Sequence, residues 1–299
     1  MRAPEPSSPA LTVRPDGVGD RLLTTRAAAL EERLRELGSV LVAFSAGADS
    51  ALLLAAATRV LGTDQVAAAT AVSGSLPAAE LDSARALTAR LGVRHVTPAT
   101  DEMGRAGYRA NAGDRCYFCK AELLDVLTPV ATALGLACVA TGTNADDAVA
   151  GFRPGIRAAA ERGAATPLRD AGLTKAQVRE LSRRWGLCTW DKPAAACLSS
   201  RIAYGIEVTP HRLARVERAE TAVRAALTGQ GHVVRDLRVR DLGEVARLEV
   251  DARLVGVAVA SADVGDAVRS AGFAALEVDP RGFRSGSMNE LLPAADRLR

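Results

Sequence analysis

The sequence predicts an α/β fold, a doubly wound parallel sheet followed by a smaller C-terminal α+β domain. Short apolar segments alternate with helical segments between residues 40 and 140, which is the pattern of a parallel sheet with helical crossovers. The first apolar segment runs through a short loop containing Gly47 directly into a helix. After Gly205 a helical segment is followed by alternating segments that are typical of paired strands, which predicts a second unit.

The elements of the first domain follow one another in a regular order. A helix over 20–37 precedes a strand over 40–44, whose apolar and partly β-branched residues favour an extended backbone. The residues from Asp49 onward are rich in Ala and Leu and favour a helix. The other elements expected here are strands over 65–72, 93–97 and 137–140 and helices over 77–91, 115–135 and 174–185.

The domain boundaries follow from composition. Residues 1–18 contain several prolines and are expected to form a disordered leader, followed by the sheet domain over 19–205 and the smaller domain over 206–299. Within the first domain, residues 151–169 are expected to be irregular and 188–204 to form an ordered loop. The second domain is expected to contain a helix over 211–227, paired strands over 232–239 and 246–250, a helix over 261–271 and a strand over 274–278.

Composition argues against several classes of protein. The net charge of +3 is too small to indicate a nucleic acid as the main partner. No apolar run approaches the roughly 18 residues of a membrane span, and the first residues lack the apolar core of a signal peptide. We therefore expect a cytoplasmic protein without membrane association. Five cysteines in such a chain favour thiol, metal or catalytic use over a disulfide framework.

The segment from Leu41 to Ser50, L-V-A-F-S-A-G-A-D-S, predicts a phosphate-binding loop. Ser45 and Ser50 offer hydroxyls, Gly47 permits close approach, and the helix start offers unpaired N–H groups to an anion. Its spacing matches neither the common lysine-containing phosphate loop nor the dinucleotide fingerprint. An ordinary strand-to-helix turn remains the alternative from these residues alone.

Two further strand ends carry residues suited to a nucleotide or Mg²⁺. Ser73 follows the second strand, and Gly142 stands in the segment T-G-T-N-A-D-D after the fourth. Parallel strands deliver such loops to one edge of the sheet. A solvent-exposed loop with Asx turns is the alternative for the second segment.

Three cysteines predict a metal centre or a redox site. Cys116 and Cys119 form a C-x-x-C at a helix start, and Cys197 lies in a later loop. A zinc site would need a fourth ligand that the sequence does not offer nearby, whereas three thiolates suit an iron–sulfur cluster with one open iron. A thiol–disulfide pair and three unrelated cysteines remain alternatives.

Arginines recur towards the C-terminus. Arg238 and Arg240 are two positions apart on a predicted strand, so they share one face and could clamp a phosphate. The alternative is a solvated strand face on which they pair with Asp236 and Asp241.

Together these motifs resemble the LarE family, ATP-dependent sulfurtransferases that make the nickel-pincer nucleotide cofactor. The loop resembles S-G-G-x-D-S, with Ala46 in place of the first glycine, where a positive φ would strain alanine by about 1 kcal/mol. The resemblance runs from about residue 21 to the C-terminus. It is carried by R-P-G from Arg153, S-S-R from Ser199, Y-G from Tyr204, R-V-R from Arg238, and G-F-R-S-G with M-N from Gly282.

The resemblance implies an ATP pyrophosphatase (PP-loop, HUP-like) fold and a defined chemistry. ATP with Mg²⁺ adenylates a carboxylate of a pyridinium mononucleotide, and sulfur then displaces AMP to leave a thiocarboxylate. The implied catalytic residues are Asp49 and Cys197. The residues implied at the nucleotide or substrate are Ser45, Gly47, Asp49, Ser50, Ser73, Gly142, Arg153, Ser200, Arg201, Arg238, Arg240 and Arg284, with Glu220 near an associated metal.

Two sulfur sources are known in this family. In one, a loop cysteine gives up its sulfur and becomes dehydroalanine; in the other, three cysteines hold a 4Fe-4S cluster that carries an extra sulfide. The sacrificial position falls at Ala196 here, which favours the cluster with Cys116, Cys119 and Cys197 as ligands. A sacrificial Cys197 remains open. Implied partners are sulfide or another sulfur donor, other proteins of the same cofactor pathway and further copies of this chain.

Two other functions stay open at this point. A tRNA thiolase or an amidotransferase-type ligase uses the same loop, and some thiolases also carry three cluster cysteines. The low net charge and the C-terminal arginine motifs count against this alternative. A nucleotide-sensing or metal-carrying protein would keep the loop and the cysteines without turnover. Substrate-dependent pyrophosphate release separates that protein from an enzyme.

Overall fold

A computed structural model describes residues 18–149, 153–193, 196–284 and 286–291. The predicted leader therefore lies outside the described residues except for Val18, with which the first helix begins. The helices are α1 Val18–Leu37, α2 Ala48–Leu61, α3 Ala78–Leu91, α4 Ala106–Arg109, α5 Arg115–Ala133, α6 Ala145–Val149, α7 Pro154–Glu161, α8 Pro167–Asp170, α9 Lys175–Arg184, α10 Pro210–Gly229, α11 Val255–Ala260 and α12 Ala262–Ser270. The strands are β1 Val40–Ala43, β2 Val66–Ala69, β3 Arg94–Val96, β4 Cys138–Thr141, β5 Leu237–Asp241, β6 Val245–Val250 and β7 Ala275–Val278.

The prediction of an α/β fold with a parallel central sheet is confirmed. The described part of the chain forms a four-stranded parallel sheet in the order β3-β2-β1-β4. Alternate residues of β1 face opposite sides: Val40 and Val42 pack with α1 and α2, whereas Leu41 packs with Leu124 and Leu127 of α5. Helices therefore cover both faces, which explains why these strands are continuously apolar.

A smaller mixed sheet follows, in the order β5-β6-β7. β5 and β6 are antiparallel, with Leu237 opposite Val250, and β7 runs parallel to β6. Its core is formed with α10 and α12, and Tyr108 and Leu198 of the preceding region belong to the same cluster. The domain boundary predicted after residue 205 stays a prediction.

Three local expectations are wrong. Residues 153–169 are not irregular: α7 and α8 each begin with a proline at the first turn, where its missing N–H costs nothing. The strand expected over 232–239 begins only at Leu237, because α10 extends to Gly229 and Gly231 then takes a positive φ of 85°. The second strand ends at Ala69 rather than at residue 72.

Candidate functional site

The loop after β1 is closed by its own serine hydroxyls. The N–H of Ser45 donates to Oγ of Ser50 at 3.2 Å, and the Ser50 hydroxyl donates to the carbonyl oxygen of Gly47 at 3.3 Å. Because α2 begins at Ala48, the unpaired N–H groups of its first turn lie beside these hydroxyls. The loop thus offers an anion two hydroxyls, main-chain donors and the positive end of the helix dipole.

Ala46 has the left-handed backbone that this loop requires. Its φ is +53°, in a region where an L side chain is strained by about 1–2 kcal/mol. Gly47, by contrast, has an extended backbone with φ −81° and ψ 168°. The Ala46 methyl is buried in the core around α2, and this burial offsets part of the strain.

A cavity of about 390 Å³ lies at the carboxyl ends of β1, β2 and β4. This is the sheet edge at which the sequence places the loops, and ligands of open α/β sheets bind there. The predicted site residues that line it are Ser45, Gly47, Asp49, Ser50, Ser73, Gly142, Cys119 and Cys197. One cavity thus brings together the phosphate loop and two of the three cysteines.

Asp49 is held from two sides. Its Oδ2 forms an ion pair with the ammonium of Lys175, the first residue of α9, and its Oδ1 accepts from Nδ2 of Asn144 at 3.2 Å. The Asn144 side chain is buried, and its Oδ1 accepts from the N–H groups of Asp146 and Asp147. The segment after β4 therefore forms an Asx turn and also fixes the loop carboxylate.

Gly142 allows the end of β4 to touch the start of α2. A Cβ at this position would lie 2.8 Å from the main-chain nitrogen of Ser50 and 3.0 Å from the carbonyl carbon of Asp49. Both atoms belong to the backbone, so no side-chain rotation could relieve the clash. Glycine at 142 thus brings the β4 loop into direct contact with the phosphate loop.

Ser73 belongs to a buried cluster around a carboxylate. Oε1 of Glu102 accepts from the hydroxyls of Ser73 and Ser75, at 2.5 Å each. All three residues line the cavity, although Glu102 itself is only 3% exposed. A buried carboxylate is stabilised by such hydroxyl donors. The sequence did not indicate Glu102, because nothing in its local pattern separates it from a surface glutamate.

The three predicted cysteines lie near one another at the start of α5. Cys119 and Cys197 line the cavity, and Cys116 stands one turn earlier on the same helix. Burial raises the pKa of Cys119, and the charge of Cys197 raises it further. Cys116 keeps contact with solvent, yet the surrounding protein raises the pKa of its thiol as well, while Arg115 acts in the opposite direction. All three are free thiols.

These thiols do not form a site for a single metal ion. Among the residues that the structure describes, no three His, Cys, Asp or Glu side chains converge closely enough to hold one. The thiols nevertheless lie within electrostatic reach of each other, since each of Cys116 and Cys197 raises the pKa of Cys119. The three thiols are contributed by two separate segments, the start of α5 and the loop that carries Cys197.

Arg201 fixes the main chain at Cys197. Its guanidinium donates to the carbonyl oxygens of Ala196 at 2.5 Å and Cys197 at 2.9 Å, and it pairs with Glu220 at 2.9 Å. The Ser200 hydroxyl donates to the Cys197 carbonyl oxygen at 2.7 Å. Arg201, Ser200 and Glu220 do not line the cavity in the described residues, but they hold the segment that does.

Arg238 and Arg240 lie on β5 beside this segment. Arg240 is buried and pairs with Glu249 at 2.7 Å, and Arg238 lies over the ring of Phe283 at 5.3 Å. Burial, and then the charge of Arg201, lower the pKa of Arg238 to about 10. Arg240 thus pairs with Glu249, whereas Asp241 pairs with Arg212 and Arg215. The charges of Arg201 and Arg240 both lower the pKa of Arg238, so the three guanidiniums lie close together, and Arg201 and Arg240 each already pair with a glutamate.

Two predicted arginines lie outside this arrangement. Arg153 is exposed, and its Nη2 lies 3.9 Å from Oδ1 of the cavity residue Asp147. Arg284 pairs with Glu290 and, at 3.6 Å, with Asp279.

The three lysines near the cavity were not identified from the sequence. Lys120 lines the cavity, Lys175 pairs with Asp49, and Lys192 donates to the carbonyl oxygen of Ala46 at 3.2 Å. Lys120 directly follows the C-x-x-C and Lys192 precedes Cys197 in the same loop, so proximity to the motifs was the available signal.

No helix among the described residues is long and apolar enough to cross a membrane.

Comparisons with known proteins agree with the resemblance. No protein-family profile matches the chain. An uncharacterized protein of Synechocystis is 40% identical over 274 residues, which is 91% of this chain and 99% of that protein. The pyridinium-3,5-bisthiocarboxylic acid mononucleotide synthase of Lactiplantibacillus plantarum is 35% identical over 91% of this chain and 97% of its own length. The chain therefore belongs to the family of this synthase, the LarE family.

Proposed function

We propose that this protein is an ATP-dependent sulfurtransferase with a PP-loop fold that converts a carboxylate of a pyridinium mononucleotide into a thiocarboxylate. One arrangement carries the proposal: the loop over 45–50 and the thiol of Cys197 line the same cavity of about 390 Å³. A phosphate-binding loop beside a sulfur nucleophile suits activation by ATP followed by attack of sulfur. The name of the relative from Lactiplantibacillus plantarum supports the substrate class.

In the first step a carboxylate oxygen of the substrate bonds to the α-phosphorus of ATP, and pyrophosphate leaves. Ser45, Ser50 and the N–H groups at the start of α2 would bind the leaving phosphates. Asp49 offers a carboxylate for Mg²⁺, whose remaining ligands would be phosphate oxygens and water. Ser73 and Gly142 border the same space.

In the second step sulfur forms a bond to the activated carbonyl carbon, and AMP leaves with the electron pair of the broken C–O bond. Cys197 is the thiol that supports this step, because its segment is fixed to the protein by Arg201. Arg238, Arg240 and Ser200, which lie beside the Cys197 segment, would bind the phosphate of the mononucleotide. Glu220 would hold Arg201 in this region. Arg153 and Arg284, which lie outside the arrangement, stay predictions.

Cys116, Cys119 and Cys197 would hold a 4Fe-4S cluster. Three thiols from two segments are the donor set that suits such a cluster. When bound, a three-cysteine cluster leaves one iron open to carry a sulfide. Loss of the Cys197 sulfur itself is the other route, and it leaves dehydroalanine in the chain.

A sulfur source and further proteins are needed before and after this reaction. Sulfide or another sulfur donor must regenerate the sulfur, and the product passes to other proteins that build the nickel-pincer nucleotide. We propose a cytoplasmic homo-oligomer, by analogy with the family.

Substrate-dependent pyrophosphate release tests the first step. We expect release from ATP only with the carboxylated pyridinium mononucleotide, and no release with tRNA. Asp49→Ala should abolish it with the fold intact by circular dichroism. Release that tRNA stimulates instead would assign the chain to the thiolases, and ATP binding without release would make it a sensor.

Iron analysis after anaerobic purification tests the sulfur route. We expect about four irons per chain, lost in Cys119→Ala and retained in the matched variant Cys138→Ala, since Cys138 lies away from the cavity on β4. No iron, with a mass loss of about 34 Da at Cys197 after turnover, would make Cys197 the sacrificed donor.

A further inference from the structure

The lysines of this chain are few and gathered at one place. Of its 38 lysine and arginine residues, only Lys120, Lys175 and Lys192 are lysines. Lys120 lines the cavity, Lys175 pairs with Asp49, and Lys192 contacts the carbonyl oxygen of Ala46. Elsewhere the chain uses arginine for its basic side chains. A compact ammonium is thus present only where the phosphate loop and its cavity are, and a guanidinium differs from it in size and in its planar, forked hydrogen bonding.

The phosphate loop itself has no cation. Residues 45–50 contain no lysine or arginine, and Asp49 adds a negative charge beside the proposed pyrophosphate position. In the structure this charge is balanced by Lys175, whose ammonium pairs with Oδ2 of Asp49. A bound pyrophosphate would repel the Asp49 carboxylate. Its binding is therefore favoured if a cation other than Lys175 neutralises Asp49, so that the Lys175 ammonium can pair with the pyrophosphate.

The Lys175 backbone is fixed while its side chain keeps access to solvent. Thr174 and Gln177 form a reciprocal capping box at the start of α9, and the N–H of Lys175 donates to Asp146 at 2.8 Å. The side chain is 36% exposed and that of Asp49 24%. The four-carbon side chain can therefore change its rotamer and move the ammonium while the Lys175 backbone stays in place. The second contact of Asp49, from the buried Asn144, does not involve the lysine.

We propose that Lys175 exchanges partners when nucleotide binds: it leaves Asp49 for the pyrophosphate end of ATP, and a divalent cation takes its place on Asp49. This inference rests on the proposed function, since it assumes that ATP occupies the cavity. Metal and pyrophosphate then bind cooperatively. Pyrophosphate draws the Lys175 ammonium away from Asp49 and so frees this carboxylate for the metal, and the metal on Asp49 frees the ammonium for pyrophosphate. Lys175 is a positioning residue for the metal, since it masks the carboxylate until phosphate arrives, and a ligand for the phosphate.

Binding measurements on the full chain test the exchange. The probes are Mn²⁺ alone, followed by loss of its free-ion EPR signal, and inorganic pyrophosphate in EDTA, followed by calorimetry. For Lys175→Met we expect opposite effects. Mn²⁺ binds about threefold or more tightly because Asp49 is unmasked, and pyrophosphate binds roughly 10- to 100-fold more weakly because a charged donor is lost.

Lys175→Arg separates exchange from a static ion pair. A guanidinium can hold Asp49 through two parallel hydrogen bonds, so we expect Mn²⁺ to bind no more tightly than in the wild type and pyrophosphate to bind more weakly. A purely structural pair would be restored by arginine for both ligands. AMP, which has no β- or γ-phosphate, should bind all three proteins within about twofold and serves as the check on folding.

Other outcomes overturn the inference in recognisable ways. Equal pyrophosphate affinity in the wild type and Lys175→Met, or parallel losses of Mn²⁺ and pyrophosphate binding, would remove the exchange while leaving ATP use intact. A wild-type protein that binds neither ATP nor pyrophosphate would instead defeat the proposed function itself.

Discussion

The ammonium of Lys192 donates to the carbonyl oxygen of Ala46 at 3.2 Å, and so ties the segment that carries Cys197 to the strained residue of the phosphate loop. The same ammonium pairs with Glu80 at 2.7 Å. Arg179 holds the segment from its other side by donating to the carbonyl oxygen of Lys192 at 3.0 Å. A single short segment thus connects the proposed sites of ATP and of sulfur.

Replacing Lys192 should loosen this connection. We expect Lys192→Met to weaken ATP binding by about tenfold, because the Ala46 carbonyl loses a charged donor. Glu80→Gln is the matched control, since it removes the carboxylate and leaves the bond to Ala46 in place. It should weaken ATP binding far less. Equal losses in the two variants, measured by calorimetry, would show that the ion pair and not the loop contact matters.

The backbone strain at Ala46 can be measured against a second buried alanine. Ala46→Gly and Ala55→Gly each remove a buried methyl and each give the unfolded chain more freedom. Only Ala46→Gly also relieves a left-handed alanine, whereas Ala55→Gly lowers helix propensity in α2. Ala46→Gly should therefore destabilise the protein by at least about 1 kcal/mol less than Ala55→Gly in denaturant unfolding. Similar losses would contradict the strain.

Gly142 should tolerate no side chain. Gly142→Ala places a Cβ against the backbone of Ser50 and Asp49, so we expect a loss of about 1–3 kcal/mol in stability and weaker ATP binding. Gly74→Ala is the matched control, because its nearest neighbour would be Cδ1 of Leu213 at an ordinary 3.6 Å. It should behave like the wild type. Unchanged ATP affinity in Gly142→Ala would detach this contact from the site.

Much of the fold could be predicted because its strands and long helices are signalled locally. α2, α3 and α5 begin within one residue of the expected positions, since alanine- and leucine-rich runs and strand alternation need no tertiary information. The short helices α7 and α11 could not be found in this way. Helices of 8 and 6 residues are marginal in isolation and form because they pack against neighbours.

The site was predicted as motifs but not as contacts. The loop, the cysteines and the β4 end meet at one cavity because parallel strands end at one edge. Lys175 and Glu102 were missed, since their partners Asp49 and Ser73 are far away in sequence. No local pattern reports such pairings, which depend on how α9 and the segment after β3 pack.

The Cys119 thiol should react slowly with alkylating reagents. The raised pKa of Cys119 leaves little thiolate at pH 7.5, whereas Cys188 is exposed to solvent. Mass spectrometry of the iron-free protein after brief iodoacetamide treatment should find Cys188 modified before Cys119, with the Cys119 rate rising as the pH increases. Earlier modification of Cys119 would mean that its thiolate is stabilised in the folded protein.

Acid should lower the stability of the folded protein through His95, whose partner Thr70 lines the cavity. The Thr70 hydroxyl donates to the carbonyl oxygen of Phe44 at 2.8 Å, so Nε2–H of His95 is the donor to Thr70 at 2.9 Å. Burial, and then the charge of Arg85, lower the pKa of His95 in the folded protein. The unfolded chain therefore binds the proton more readily, and this contribution to stability is present above about pH 6.5 and is lost as the pH falls through the folded pKa.

His95→Gln isolates this contribution, because the amide keeps a donor for Thr70 but does not titrate in this range. We expect the variant to be less stable than the wild type at pH 7.5 and the gap in the free energy of unfolding to narrow at pH 5. Both proteins keep every other titratable group, so the change in the gap reports His95 alone. A gap that stays constant or widens on acidification would show that the folded protein accommodates the imidazolium, and that the contact with Thr70 outweighs the desolvation.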